Sequence, residues 1–276
     1  MVQCRMCGSK KIEKNIIASN YHGRHLWGKE KFQIYLCKKC ACYFLDNIES
    51  EKDFYKKYYP KEYLLKPSFL DKFFGWFRKN IVENNPPVGG KKIRILDIGC
   101  GNGNFLESLN DKKFEKFGVE IKNNKLIPKN IKMFLGDINK LNFGKEKFDV
   151  ITAWHVLEHL PNPSQTLLLL NKLLNKSGKI FLAVPNSNCL GFKIGKEYCF
   201  HLDSPRHLFV PNKINLKKLL IETAYKNIKI SNLFFEYPLD LWWSIRNSGF
   251  KFLVYPLYPL FKLFSSETIL VRADKI

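Results

Sequence analysis

Residues 93–105, IRILDIGCGNGNF, carry an apolar run that ends in glycines at Gly99, Gly101 and Gly103. Ile93, Ile95, Leu96 and Ile98 suit a strand buried on both faces of a parallel sheet. A strand that breaks into a glycine loop and then a helix makes a nucleotide site. Glycine lets the backbone turn tightly and approach a ligand, and the amides at the helix start offer hydrogen bonds. Asn104 stands where the third glycine of G-x-G-x-x-G would fall, so the loop is not the dinucleotide fingerprint. A second group is thiol chemistry. Cys4-x-x-Cys7 and Cys37-x-x-Cys40 are two knuckles of the kind that place four thiolates on one tetrahedral ion, a closed structural site with no open position for catalysis. His22 or His25, in the long excursion between the knuckles, could replace a cysteine; four cysteines are the favoured set. A third group is acid–base chemistry: His155, His159, His201 and His207 are bases suited to neutral pH, and Arg206 could clamp a phosphate or carboxylate. An Asp203–Arg206 pair that braces its own loop is the competing reading.

These residues need elements to hold them. A chain of 276 residues, 45% hydrophobic, can bury one sizeable core and carry a small appended module. Its formal charge of +21 would favour nucleic acid or an anionic membrane if the cations were clustered, but lysines recur along the whole chain. The N-terminal MVQCRMCGSK lacks the apolar core of a secretory signal, so a reducing, cytoplasmic setting is expected for the thiols. Residues 1–50 read as a zinc ribbon on short strands: Phe32, Ile34 and Leu36 alternate with polar residues before the second knuckle, and Tyr43, Phe44 and Leu45 follow it. Such a module is too small to fold securely without a staple, and zinc can supply on the order of 10 kcal/mol. Cys42, Cys100, Cys189 and Cys199 read as small apolar side chains. Residues 51–90 form an aromatic-rich helical connector or a substrate lid, with Phe69, Phe73, Phe74, Trp76 and Phe77 on one helical face and a boundary in the Asn84 to Gly90 cluster.

From residue 91 the pieces of a doubly wound α/β sheet come in order. Phe117 to Glu120 reads as a second strand, Ile131 to Leu135 as a third, Asp149 to Ala153 as a fourth and Ile180 to Val184 as a fifth. Asn162 is placed to cap the intervening helix with Pro163 at its first position, Leu167, Leu170, Leu173 and Leu174 form its buried face, and Gly178 ends it. Glu120 falls where an acidic residue meets ribose hydroxyls, and Trp154 and His155 fall at the C-terminal strand edge where open sheets hold ligands.

With Asp97 two residues before Gly99, the D-x-G-x-G-x-G run, Asp137-Ile138 after the third strand and HVLEH after the fourth resemble the class I S-adenosylmethionine (SAM) methyltransferases over residues 91–236 and a last strand at 268–273. The resemblance implies a Rossmann-like seven-stranded sheet with strand seven antiparallel to the rest. It also implies a SAM site at Asp97, Gly99, Cys100, Gly101, Gly103, Glu120, Ile121, Asp137, Ile138, Trp154 and His155, with Asp137 at the adenine. The two CxxC knuckles, YYPKEY, WHVLEHLPNP, VPN and LDSPRHLF together look like the zinc-ribbon methyltransferases found among bacterial surface-polysaccharide genes. Ala224-Tyr225 departs from the usual Gly-Phe, and one extra residue separates LDSPRHLF from the next helix. That likeness implies methylation of a sugar hydroxyl in a nucleotide- or lipid-linked glycan precursor, with His155 as first-choice base and His207 and Arg206 beside it. An RNA methyltransferase and a SAM-binding module without catalysis are the alternatives. An apolar insertion at 237–267 interrupts the fold. Between Lys251 and Lys262 it has ten apolar residues, two of them prolines, too few to span a bilayer. Its Trp242, Trp243, Tyr255 and Tyr258 with flanking cations suit peripheral contact with an anionic membrane through 237–264, at the inner face of the cell membrane; dimerisation and acceptor-lid packing compete with that reading. The acceptor, the methylated atom and the oligomeric state are not encoded in these patterns.

Overall fold

A computed structural model describes residues 2–22, 25–46, 54–59, 69–86, 92–122, 124–233, 236–237, 239–265 and 267–276. The expected sheet is present with seven strands, ordered β10-β11-β8-β7-β4-β5-β6. Its central strands are β4 (Ile93–Ile98), β5 (Phe114–Glu120), β6 (Ile131–Leu135), β7 (Phe148–Trp154) and β8 (Leu174–Pro185), all parallel. The strand β10 (Tyr225–Asn232) lies at the edge, and β11 (Thr268–Lys275) runs antiparallel between β10 and β8. The near-continuous burial of β4, β7 and β8 follows from helices covering both faces. These helices include α3 (Asn104–Ser108), α4 (Pro163–Leu173) and α6 (Lys213–Glu222).

Local details differ from expectation. Pro163 does open α4, but the Asn162 side chain makes no capping bond, and the chain enters β8 at once after Leu173. Gly178 therefore lies inside β8, while Ser177 takes the left-handed turn at φ 63°.

The excursion between the cysteine knuckles is a long antiparallel hairpin, β1 (Ile12–His22) and β2 (His25–Cys37), where short ribbon strands were expected. Its sheet continues through β3 (Tyr43–Leu45) into β9 (Phe209–Val210), a strand supplied by the LDSPRHLF segment. Phe44 pairs with Phe209 and both are fully buried, so the N-terminal strands share one core with the large sheet. The short helix α1 (Phe54–Tyr58) packs onto this side, with Tyr58 donating to Glu30 at 2.8 Å. The stretch from Pro60 to Pro67 and the Pro87 to Gly90 part of the expected boundary lie outside the described residues.

Helix α2 (Phe69–Glu83) packs on α3 through Gly75, where a Cβ would come within 2.9 Å of the Asn104 carbonyl oxygen. Of the expected aromatic face, Phe77 packs on the core beside buried Gly75 and Val82, while Phe69, Phe73 and Trp76 are exposed. Residues 237–267 fold into three short helices. They are α7 (Asp240–Ile245), α8 (Lys251–Val254) and α9 (Tyr258–Ser265), and α7 seats on α5 (Leu190–Gly195), which offers Gly191 and Gly195 to Ser244. Among the described residues no helix is long and apolar enough to cross a membrane.

Candidate active site

The glycine loop joins β4 to α3 with Gly99, Gly101 and Gly103 all at left-handed φ, 66°, 56° and 76°. A Cβ at Gly99 would lie 2.5 Å from a Val156 methyl, so only glycine fits there; at Gly101 it would meet nothing within 4 Å. Gly101 therefore faces open space at the C-terminal edge of the sheet. Glu120, at the end of β5, turns its carboxylate onto this loop: Gly101 N–H donates to Oε2 at 3.0 Å and Ile121 N–H to Oε1 at 2.8 Å. Each oxygen keeps a second lone pair, which suits two vicinal hydroxyls. Asp97 is buried and accepts from the Thr152 hydroxyl at 2.6 Å; burial raises its pKa to about 7. Asp137 folds into a turn by accepting from Asn139 N–H at 3.0 Å. The Trp154 indole N–H is buried without a protein acceptor. Two of the expected cofactor residues point elsewhere. Cys100 packs its sulfur 4.0 Å from that of Met133, under Gly118, and Ile138 is core, so both can serve a ligand only through backbone. A glycine cradle with open space, a ribose-type carboxylate and an unpartnered indole donor fit SAM.

Beside this edge stand all four histidines marked by the sequence. His155 follows β7 at φ 56°, its N–H held by the Ala183 carbonyl at 2.9 Å. Its Nε2 lies 2.8 Å from Glu236 Oε2 and its Nδ1 3.4 Å from Glu158 Oε1. Burial disfavours the imidazolium, but Glu158 and Glu236 outweigh it and raise the pKa to about 9. Burial likewise opposes ionised Glu236, yet Arg78 and His155 bring it down to about 2. With both nitrogens facing carboxylates, His155 is placed to hold a proton rather than to take one from an acceptor. His207 differs. Its Nδ1 sits 2.8 Å from the His201 carbonyl, which fixes the proton there and leaves Nε2 with a lone pair, and burial pushes its pKa well below the usual range. Glu158, fully buried on the turn Leu157–His159, lies between them, 3.9 Å from His207 Nε2. His159 Nδ1 is 3.0 Å from the Tyr59 hydroxyl and 2.9 Å from the Arg206 carbonyl oxygen, a bracing position. Arg206 donates to both oxygens of Asp203, at 2.7 and 2.6 Å, so its fork braces its own loop instead of standing open as a clamp.

Sequence reasoning left out Arg78 and Glu236 and gave Glu158 no role beyond its place in HVLEH. The three-residue spacing of His155 and Glu158 was a usable signal; Glu236 lies 81 residues from its partner and had none.

At the N-terminus the sulfurs of Cys4 and Cys40 are 3.5 Å apart, those of Cys7 and Cys37 3.6 Å, and all four lie within 4.8 Å of one another. Tetrahedral zinc with Zn–S bonds near 2.3 Å separates its sulfurs by about 3.8 Å, so the donor set fits that ion. Gly8 and Ala41 close the two knuckles at φ 65° and 56°, with Gly8 N–H donating to Cys4 O and Ala41 N–H to Cys37 O, each at 2.8 Å. Cys42 is buried next to Cys4, its sulfur 3.3 Å from the Tyr43 carbonyl oxygen and 3.6 Å from that of Val210 on β9.

The profile of the methyltransferase domain matches residues 60–230. The chain belongs to the methyltransferase-domain family. This methyltransferase is 29% identical over 137 residues to the ubiquinone biosynthesis O-methyltransferase of Coxiella burnetii, a match that covers 45% of this chain and 58% of that relative. It thus spans less than two thirds of the curated relatives it matches. Among solved structures, a SAM-dependent methyltransferase from Thermotoga maritima, a possible histamine N-methyltransferase, superposes with a TM-score of 0.51 at 18% identity, covering 75% of this chain and 92% of that one. A SAM-dependent methyltransferase from Archaeoglobus fulgidus gives 0.51 at 19%, covering 74% and 94%. The fold is theirs, and residues 60–230 form a methyltransferase domain.

Proposed function

We propose that this methyltransferase transfers a methyl group from SAM to a sugar hydroxyl in a nucleotide- or lipid-linked glycan precursor. The observation that supports this most is the convergence of His155, His201 and His207 with Glu158 and Glu236 at the C-terminal end of β7, because a hydroxyl acceptor needs alignment and removal of its proton. The LDSPRHLF segment supplies Asp203, Arg206 and His207, with His201 just before it, and forms the wall of the acceptor site. The O-methyltransferase name of the Coxiella relative agrees with an oxygen acceptor. SAM supplies a methyl already activated on a positive sulfur. Asp97, the Gly99–Gly103 loop, Glu120, Ile121, Asp137, Ile138 and Trp154 hold it, partly through backbone; neutral His207 is the candidate base, and cationic His155 sits at the same edge. Cys4, Cys7, Cys37 and Cys40 hold structural zinc.

Purified enzyme is to be offered SAM with sugar nucleotides, lipid-linked saccharides, ribosomal RNA and transfer RNA, and methylated products read by mass spectrometry. Methylated saccharide, lost in His207→Ala with SAM affinity intact, is expected. Methylation of RNA alone, or full turnover in both His207→Ala and His155→Ala, contradicts the reading.

A second reading concerns where the enzyme works. Phe250, Phe252, Leu253, Leu257, Leu260, Leu263 and Phe264 are exposed on α8 and α9 and their flanks, with Arg246 and Lys251 beside them, while Lys262 is paired with buried Asp240. Such a surface suits the interface of an anionic bilayer. Flotation with anionic but not zwitterionic vesicles is expected, weakened by salt and by replacing Phe252 and Phe264 with serine. Equal flotation of that variant contradicts it.

A further inference from the structure

We propose that Glu236 is a positioning residue for His155, fixing the orientation of its ring and holding it as an imidazolium at the edge of the active site. Three distant parts of the chain build this arrangement: α2 contributes Arg78, the end of β7 contributes His155, and the segment after β10 contributes Glu236. One oxygen of Glu236 meets His155 Nε2 at 2.8 Å; the other accepts from Arg78 Nε at 2.5 Å. The side chains are 8% exposed for His155, 1% for Glu236 and 21% for Arg78, so the carboxylate cannot be exchanged for water without opening the site. Arg78 is itself fixed, its guanidinium 5.2 Å from the centre of the Trp154 ring.

The groups around the imidazole decide its state. Glu236 and Glu158 face its two nitrogens, Arg78 stands behind Glu236, the Tyr237 ring meets its edge at 5.0 Å, and the His201 ring stacks at 6.4 Å with its own Nε2 turned to Asp240. Two buried carboxylates around one imidazole are balanced by the protonated ring; a neutral ring would leave one nitrogen without a proton against a carboxylate. The cation that results sits where open sheets of this type hold their ligands. His155 thereby acts through charge and orientation, and removal of the acceptor's proton falls to a different group. The inference rests on the location of the site at the end of β7 and is independent of which acceptor is used.

Its test follows the histidine side-chain resonances of the full-length, isotope-labelled protein against pH, with the His155 signal assigned by its loss in His155→Gln. The ring is expected to titrate well above the ordinary histidine range. In Glu236→Gln its midpoint is expected to fall by about one pH unit or more, while Glu236→Asp, which keeps the charge, holds it high and serves if the glutamine variant does not fold. Glu115→Gln, at the start of β5 beside Arg94 and so at the opposite end of the sheet from His155, leaves it unchanged. An ordinary midpoint in the parent protein, or one that Glu236→Gln does not move, overturns the proposal. With an acceptor in hand, Glu236→Gln lowers kcat with unchanged SAM affinity and moves the alkaline limb of the pH profile towards acid. If no saccharide is methylated, the titration still decides the role of Glu236.

Discussion

At Gly101 and Gly144 the backbone takes nearly the same left-handed φ, 56° and 55°, and a Cβ at either would touch nothing within 4 Å. Alanine at each position should therefore cost the same backbone strain, about 1 kcal/mol in urea unfolding. Only Gly101 lies on the loop whose N–H meets Glu120, so only Gly101→Ala should weaken SAM binding. Equal binding by both variants contradicts the assignment of the loop. The buried His155–Glu236 pair carries a pH signature of its own. The folded pKa of His155, about 9 against an ordinary 6.5, means that its stabilisation is complete below 6.5 and is lost as pH rises through 9. That of Glu236, about 2 against 4.5, gives stabilisation present above 4.5 and lost as pH falls towards 2. Counted once, the pairing is on the order of 3 kcal/mol. Unfolding at pH 6 and at pH 9.5 should show a larger loss for the parent than for Glu236→Gln; parallel losses would count against a paired imidazolium.

Helix α2 reaches the site through backbone contact as much as side chains. Gly75 lets it lie against the start of α3, and Ser108 Oγ donates to the Gly75 carbonyl at 3.1 Å. Gly75→Val should push the helix off by overpacking, costing about 1–3 kcal/mol and, by displacing Arg78 from Glu236, reducing turnover more than SAM affinity. An equally stable, fully active variant would show that α2 does not serve the site. At this scale the sequence was informative where a pattern is local. The apolar run before Gly99, the alternation around Cys37 and the Pro163 helix start each rest on neighbours in the chain, and each element is where the pattern puts it. The aromatic face of α2 was only partly informative, because aromatic side chains at helical spacing signal burial only where a partner surface exists; Phe77 packs on the core, Phe69, Phe73 and Trp76 are exposed, and a glycine makes the closest contact. The strand pairing of Phe44 with Phe209, and Arg78 and Glu236 beside His155, join segments far apart in the chain. No local spacing announces such pairs.

For the molecule as a whole, the cysteine-bearing hairpin joins the LDSPRHLF segment through β3 and β9 and shares a core with the large sheet, so removal of the zinc proposed at the four cysteines should be felt at that segment as well as in the N-terminal strands. The cofactor edge lies on the opposite flank of β7, supported by β4 and β5, and depends on Glu120 for the set of its glycine loop. That dependence gives the most direct test of the account: calorimetric titration of SAM into zinc-loaded protein, beside a Glu120→Ala control whose fold is verified. Micromolar binding in the parent, weakened about tenfold or more by the substitution, a loss near 1.4 kcal/mol, is the predicted result. No binding by the folded parent, or equal binding by Glu120→Ala, would contradict the claim that the loop from Gly99 to Gly103 and the end of β5 together form the SAM site.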